Sequence, residues 1–197
     1  MKNIAVMVSG GGSNFQAILN GITSGMIKNG RVSLVISSNA DAYAIKRAEG
    51  YGIKVAVVSN KMFPDQAKRS EKILKLLNGD SIDLVVLAGY MSVLGPEVVE
   101  AYRNRIINIH PSLIPKHCGK GMYGHHVHEA VLAAGDTESG ATVHFVDEGV
   151  DTGKIILQKS VPVEPDDTPE TLAARVLEVE HTILPLAVKM FCDDELE

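Results

Sequence analysis

The chain has 197 residues, of which 45% are hydrophobic and only 22% charged, with a formal charge of -5 at pH 7. This supports one sizeable core, excludes wholesale disorder, and lacks the basic surplus that a nucleic-acid binder uses to neutralise phosphates. Two distant cysteines, Cys118 and Cys192, suit a reducing compartment. No signal-peptide pattern or membrane-length apolar run is visible, so a cytoplasmic protein without nucleic-acid or membrane partners is expected.

In chain order, "IAVMV" (4–8) is a continuous apolar run closed by glycines, the pattern of a strand buried on both faces. "FQAILNGITSG" then repeats Phe15, Ile18 and Ile22 at helical spacing. "VSLVIS" (32–37) predicts a second strand, "ADAYAIKRAEGYG" a helix, "IKVAVV" (53–58) a third strand and residues 64–78 another helix. "IDLVVLAGY" (82–90) is the fourth and most apolar strand, followed by a short helix near 96–103 and a fifth strand, "RIINIH". Such alternation implies an α/β fold, a mostly parallel twisted sheet with helices on both faces. Beyond a Pro- and Gly-rich stretch, "HVHEAVLAA" reads as a helix, "ATVHFVD" and "KIILQKSVPV" as strands, and "TPETLAARVLEVEHTILPLAVKMF" as a long last helix. One domain over residues 1–197 is expected, with the acidic "CDDELE" end frayed.

Between the first strand and the first helix lies "SGGGSN". A helix N-terminus offers free N–H groups to an anion, and glycines allow close backbone approach. No lysine follows the glycines, as a P-loop requires, and Phe15 stands where a dinucleotide fingerprint wants glycine or alanine. A phosphate monoester fits the loop better than ATP or NAD; a tight turn capped by Ser13 or Asn14 is the alternative.

The fifth strand ends in "NIHPSLIP". Strand residues two apart share a face, so Asn108 and His110 stand side by side where ligands gather in parallel sheets. An amide and an imidazole can stabilise an oxyanion and move a proton, which acyl transfer demands. A carboxylate is then wanted beside the ring, and Asp151 in "VDEGVDTGKI" is the first choice, Asp147 the second. A histidine held by a backbone carbonyl and an ordinary Asp-Thr-Gly turn are the plainer readings of His110 and Asp151. No nucleophile elbow surrounds Ser112, so direct transfer between two bound substrates is more economical than a covalent intermediate. His125 and His128 in "GHHVH" share a helical face but have no third ligand at recognisable spacing, so no metal is expected. Met91, Val93 and Leu94 line an apolar slot or belong to the core.

The segments "SGGGSN", "VVLAGYMSVL", "NIHPSLIP", "ATVHFVDEGVDTG" and "IILQ", in that order, resemble the phosphoribosylglycinamide formyltransferases of purine synthesis over residues 3–191. The resemblance implies a Rossmann-like formyltransferase fold and formyl transfer from 10-formyltetrahydrofolate, as co-substrate, to the amine of glycinamide ribonucleotide, in a monomer or homodimer. Carried over by position, it implies Asn108, His110 and Asp151 as catalytic residues and Gly12, Ser13 and Asn14 as the ribonucleotide's phosphate loop. It implies Glu180 as an acid contacting the ribonucleotide. Met91, Ser92, Val93 and Leu94, with Asn108 and the backbone of Asp147, Glu148, Gly149, Val150 and Asp151, match folate-binding segments. An Asp-supported, protonated His110 is part of that expectation. Two arginines common in relatives are missing: Ser92 occupies one position, and "FPDQAK" covers the other. Formyltetrahydrofolate hydrolase, and a non-catalytic phosphate-ligand sensor on the same fold, are the rival readings.

Overall fold

The computed structural model describes residues 1–196. Its first half alternates as the periodicity predicts: β1 (Lys2–Val8), α1 (Ser13–Thr23), β2 (Gly30–Ser37), α2 (Tyr43–Gly50), β3 (Lys54–Val57), α3 (Gln66–Gly79), β4 (Leu84–Leu87), α4 (Pro96–Ala101) and β5 (Ile106–His110). The second half adds α5 (His125–Ala134), β6 (Glu138–Phe145), β7 (Ile155–Pro162) and α6 (Pro169–Cys192). All strands join one seven-stranded sheet in the order β3-β2-β1-β4-β5-β6-β7. The strands β3 to β5 in that order run parallel, and β6 and β7 add an antiparallel edge.

Side-chain alternation sorts the core into two layers. On β1, Ile4, Val6 and Val8 pack with Phe15 and Ile18 of α1 and Leu172, Val176 and Leu184 of α6. Ala5 and Met7 face the other way, toward Ile73 and Leu77 of α3 and Val98 of α4. Residues 4–8 are wholly buried, each large side chain contributing roughly 1.5–3 kcal/mol of transfer free energy. This explains why "IAVMV" shows no polar alternation.

Between neighbouring β1 and β4 the chain order reverses direction across the sheet, the switch point at which α/β sheets open a crevice beyond their carboxyl ends. The fourth strand is shorter than its apolar run suggests. It ends at Leu87, and Gly89 at φ 73 turns the chain into a loop carrying Tyr90 to Leu94 over the crevice. α6 starts with a reciprocal Thr168–Thr171 capping box and carries Pro185 in its interior. In the acidic end, the Asp193 carboxylate accepts from Asn29 and Lys189, and Asp194 pairs with Lys2; Glu197 lies outside the described residues.

Candidate active site

Antiparallel pairing of β5 with β6 sets Asn108 opposite His144 and His110 opposite Thr142. The odd-numbered neighbours Ile107 and Ile109 turn into the α1–α6 core, leaving Asn108 and His110 on the opposite face of the strand. The His144 ring, 2% exposed, donates from Nδ1 to its neighbour's carbonyl, Phe145 O, at 2.8 Å. Its Nε2 is then an acceptor in the neutral ring, and Asn108 Nδ2 donates a hydrogen bond to it at 3.1 Å. That bond orients the amide so that the second Nδ2 hydrogen remains for a ligand. His144 follows from strand alternation with Thr142 and Val146, but only the register with Asn108 reveals its role.

Asp151 completes the group from the loop between β6 and β7, at φ 56, a conformation aspartate tolerates better than most residues. Its Oδ2 lies 3.7 Å from His110 Nδ1 and its Oδ1 3.6 Å from His144 Nε2, while the Gly119 N–H donates to Oδ2 at 3.0 Å. Burial by itself raises the Asp151 carboxyl; the His144 side chain, the Gly119 N–H and the neighbouring His110 ring together bring it below its ordinary value. Asp147, the second candidate, is occupied otherwise. Its Oδ1 accepts from Gly149 N at 3.0 Å and Thr152 Oγ1 at 2.6 Å, which shapes the loop.

His110 is 4% exposed. Its burial lowers the imidazole pKa and outweighs the His117 carbonyl and the Asp151 carboxylate, both of which favour charge. Burial thus favours the neutral ring, opposing the support for its charged form that Asp151 supplies. The carboxylate stands ready to support the ring once it gains a proton.

Two cavities meet here. The smaller, about 480 Å³, is lined by Leu87, Leu94, Val99 and Val146 and by the 147–151 loop, with Gln66 and Ser92 at polar positions. An apolar slot with backbone donors and acceptors along one wall suits a flat heteroaromatic ligand. The larger, about 670 Å³, takes in Asn14, His110, His128, Glu180 and the 119–125 segment. Asn108 and Asp151 line both. Leu94 lies at the slot, Met91 lines the larger cavity, and Val93 lines both. Of the "GHHVH" histidines, His125 is exposed beside Glu129 and Glu170, and only His128 is buried against the cavity.

Glu180 and Asn14 form the far wall, where Asn14 Nδ2 donates to Glu180 Oε2 at 2.6 Å. Burial pushes the Glu180 carboxyl up to about 7, with the Asn14 bond acting the other way. Gly12 and Ser13 line neither cavity but sit at the start of α1, whose N-cap Gly12 makes no side-chain cap. The first N–H groups are thus left for an anion. Gly12 adopts φ 74, and a Cβ there would stand 2.6 Å from the Ala44 Cβ. Gly12→Ala is expected to cost about 1–3 kcal/mol in thermal or urea unfolding and to weaken binding of phosphorylated ligands.

Comparison with known proteins agrees with this architecture. Residues 2–188 match the formyl transferase family model. Phosphoribosylglycinamide formyltransferase of Haemophilus influenzae is 42% identical over 196 residues, covering 100% of this chain and 90% of the relative. The chloroplastic phosphoribosylglycinamide formyltransferase of Arabidopsis thaliana is 42% identical, covering 100% of this chain and 67% of its own length. The crystal structure of glycinamide ribonucleotide transformylase 1 from Symbiobacterium toebii superposes with TM-score 0.94 at 41% identity, covering 100% of this chain and 90% of that one. The fold is that of a group-transfer enzyme, and two cavities converge on Asn108 and Asp151. The chain belongs to the formyl transferase family.

Proposed function

We infer that this formyltransferase moves a formyl group from 10-formyltetrahydrofolate to the amine of glycinamide ribonucleotide. The observation that carries the reading is the meeting of the two cavities at Asn108 and Asp151, with His110 in the wall of the larger. The apolar slot accepts the pteridine, and the larger cavity the ribonucleotide, its phosphate toward Gly12, Ser13 and Asn14. Asn108 donates its free Nδ2 hydrogen to the formyl oxygen as negative charge builds there. His110 Nδ1, facing Asp151, takes the proton released by the attacking amine. Asp151 stabilises the resulting imidazolium, which returns the proton to the departing folate nitrogen. A water or amine bonded at about 2.8 Å to both groups fits beside a pair 3.7 Å apart, so the proton has a short path. The free thiols Cys118 and Cys192 fit a cytoplasmic setting, and no helix among the described residues is long and apolar enough to cross a membrane.

A spectroscopic assay of tetrahydrofolate formation tests the reading. Product should form only when glycinamide ribonucleotide is present. Formate release that ignores the ribonucleotide supports a hydrolase, and tight ribonucleotide binding without turnover supports a sensor.

Glu180 gives this binding mode a pH signature. As a carboxylate it accepts hydrogen bonds from ligand hydroxyls, and it ionises at about 7. The ribonucleotide KM is expected to rise about tenfold from pH 8 to pH 6 as the carboxylate is lost, and Glu180→Gln to flatten that dependence. The stability effect has its own sign. A carboxyl raised by burial favours folding most below its unfolded value, and this contribution declines as pH rises from there toward about 7.

A further inference from the structure

We propose that His117 and Asp136 form a positioning pair that fixes where His110 carries its proton, and hence which ring nitrogen meets the reacting amine. His110 Nε2 lies 3.0 Å from the carbonyl oxygen of His117. A carbonyl only accepts, so the neutral His110 ring holds its hydrogen on Nε2 and keeps the Nδ1 lone pair on the Asp151 side. With the proton on Nδ1 instead, Nε2 would turn its lone pair toward the carbonyl oxygen, and the base would be lost from the reacting side.

The carbonyl that selects this tautomer belongs to a constrained residue. His117 sits at φ 48, an uncommon left-handed backbone that histidine adopts more readily than most residues but that benefits from being held. Its own side chain provides the constraint, because His117 Nε2 is 2.7 Å from Asp136 Oδ2. Lys116 Nζ reaches the other carboxylate oxygen at 3.3 Å, and the Lys116 carbonyl is held by the Ser112 hydroxyl at 2.6 Å. Asp136 directly follows Gly135, the C-cap of α5, and its own N–H bonds to Val131 O at 3.3 Å. The loop beside His110 is thus moored to the end of a helix. The bond from His117, and with it that from Lys116, keeps the Asp136 carboxyl below its ordinary value, so the mooring charge persists through the neutral range. A surface ion pair alone contributes little. This one is only 17% and 20% exposed on its two side chains, and the backbone of one partner touches the reacting histidine.

The kinetic part rests on the role of His110 given above; the spectroscopic part does not. Nitrogen-15 NMR of histidine-labelled protein without substrates should show His110 as a single neutral ring protonated at Nε2. Asp136→Ala should give exchange between two tautomers and about a tenfold fall in kcat, with both KM values within about twofold of the parent. His117→Gln keeps a donor toward Asp136 and should retain the single tautomer and most of the turnover. Retention of either the single tautomer or the parent kcat in Asp136→Ala overturns the proposal. So does loss of the tautomer in a His117→Gln protein that unfolds at the parent Tm. Were the chain to transfer no formyl group, the tautomer result would still decide the positioning claim by itself.

Discussion

His110→Ala is expected to lower kcat by about two to four orders of magnitude, with the protein still folded by circular dichroism and thermal melting. The size follows from what the ring does. Its Nδ1 carries a lone pair 3.7 Å from Asp151 in the larger cavity wall, and its loss leaves the attacking amine without that proton acceptor. The Nε2 bond to the His117 carbonyl goes too, but that bond stabilises by only about 1 kcal/mol. Catalysis should therefore suffer far more than folding. A steady-state assay with both substrates saturating reads the effect, and near-parent turnover removes His110 from the chemistry.

Asp151→Asn separates charge from shape. Asparagine tolerates the same left-handed backbone, so the φ of 56 is no obstacle to folding. What disappears is the negative charge 3.7 Å from His110 Nδ1. A fall in kcat of about two to three orders of magnitude is expected, from loss of support for the imidazolium. The variant also carries a directional signature. Asp151 favours the charged ring, so its neutralisation lowers the His110 pKa further. If His110 must be neutral to accept the proton, activity rises as pH climbs through that pKa. The acid limb of the kcat profile should then move to lower pH in the variant, while the plateau drops. An acid limb that stays in place argues against coupling between the two groups.

Much of this was legible in the chain. "IAVMV" announces a strand buried on both faces because a continuous apolar run closed by glycines allows little else, and "VSLVIS" and "IKVAVV" announce the next two parallel strands, the last a half-buried edge. Asn108 and His110 announce themselves because two polar groups on one strand face require partners. The partners were less visible. His144 depends on a cross-strand register, and the Asp136–His117 contact joins residues across a loop and a helix. The chain alone favours Asp151 over Asp147, and the loop's own hydrogen bonds show what occupies Asp147 instead. The balance at His110 could not be read from spacing at all, because burial, which favours the neutral ring, competes there with the nearby carboxylate. The short β4 has a local cause, since Gly89 turns the chain out of the strand before the apolar run is exhausted.

A structure of the protein with glycinamide ribonucleotide and an unreactive formyl-folate analogue bound together is the most direct measurement. The pteridine is expected in the slot beside Leu87, Leu94 and Val146 and the ribonucleotide amine in the larger cavity. The formyl oxygen should lie within hydrogen-bond reach of Asn108 Nδ2. A pteridine bound away from the 147–151 loop, or an amine turned away from His110 and Asp151, would contradict the proposed transfer.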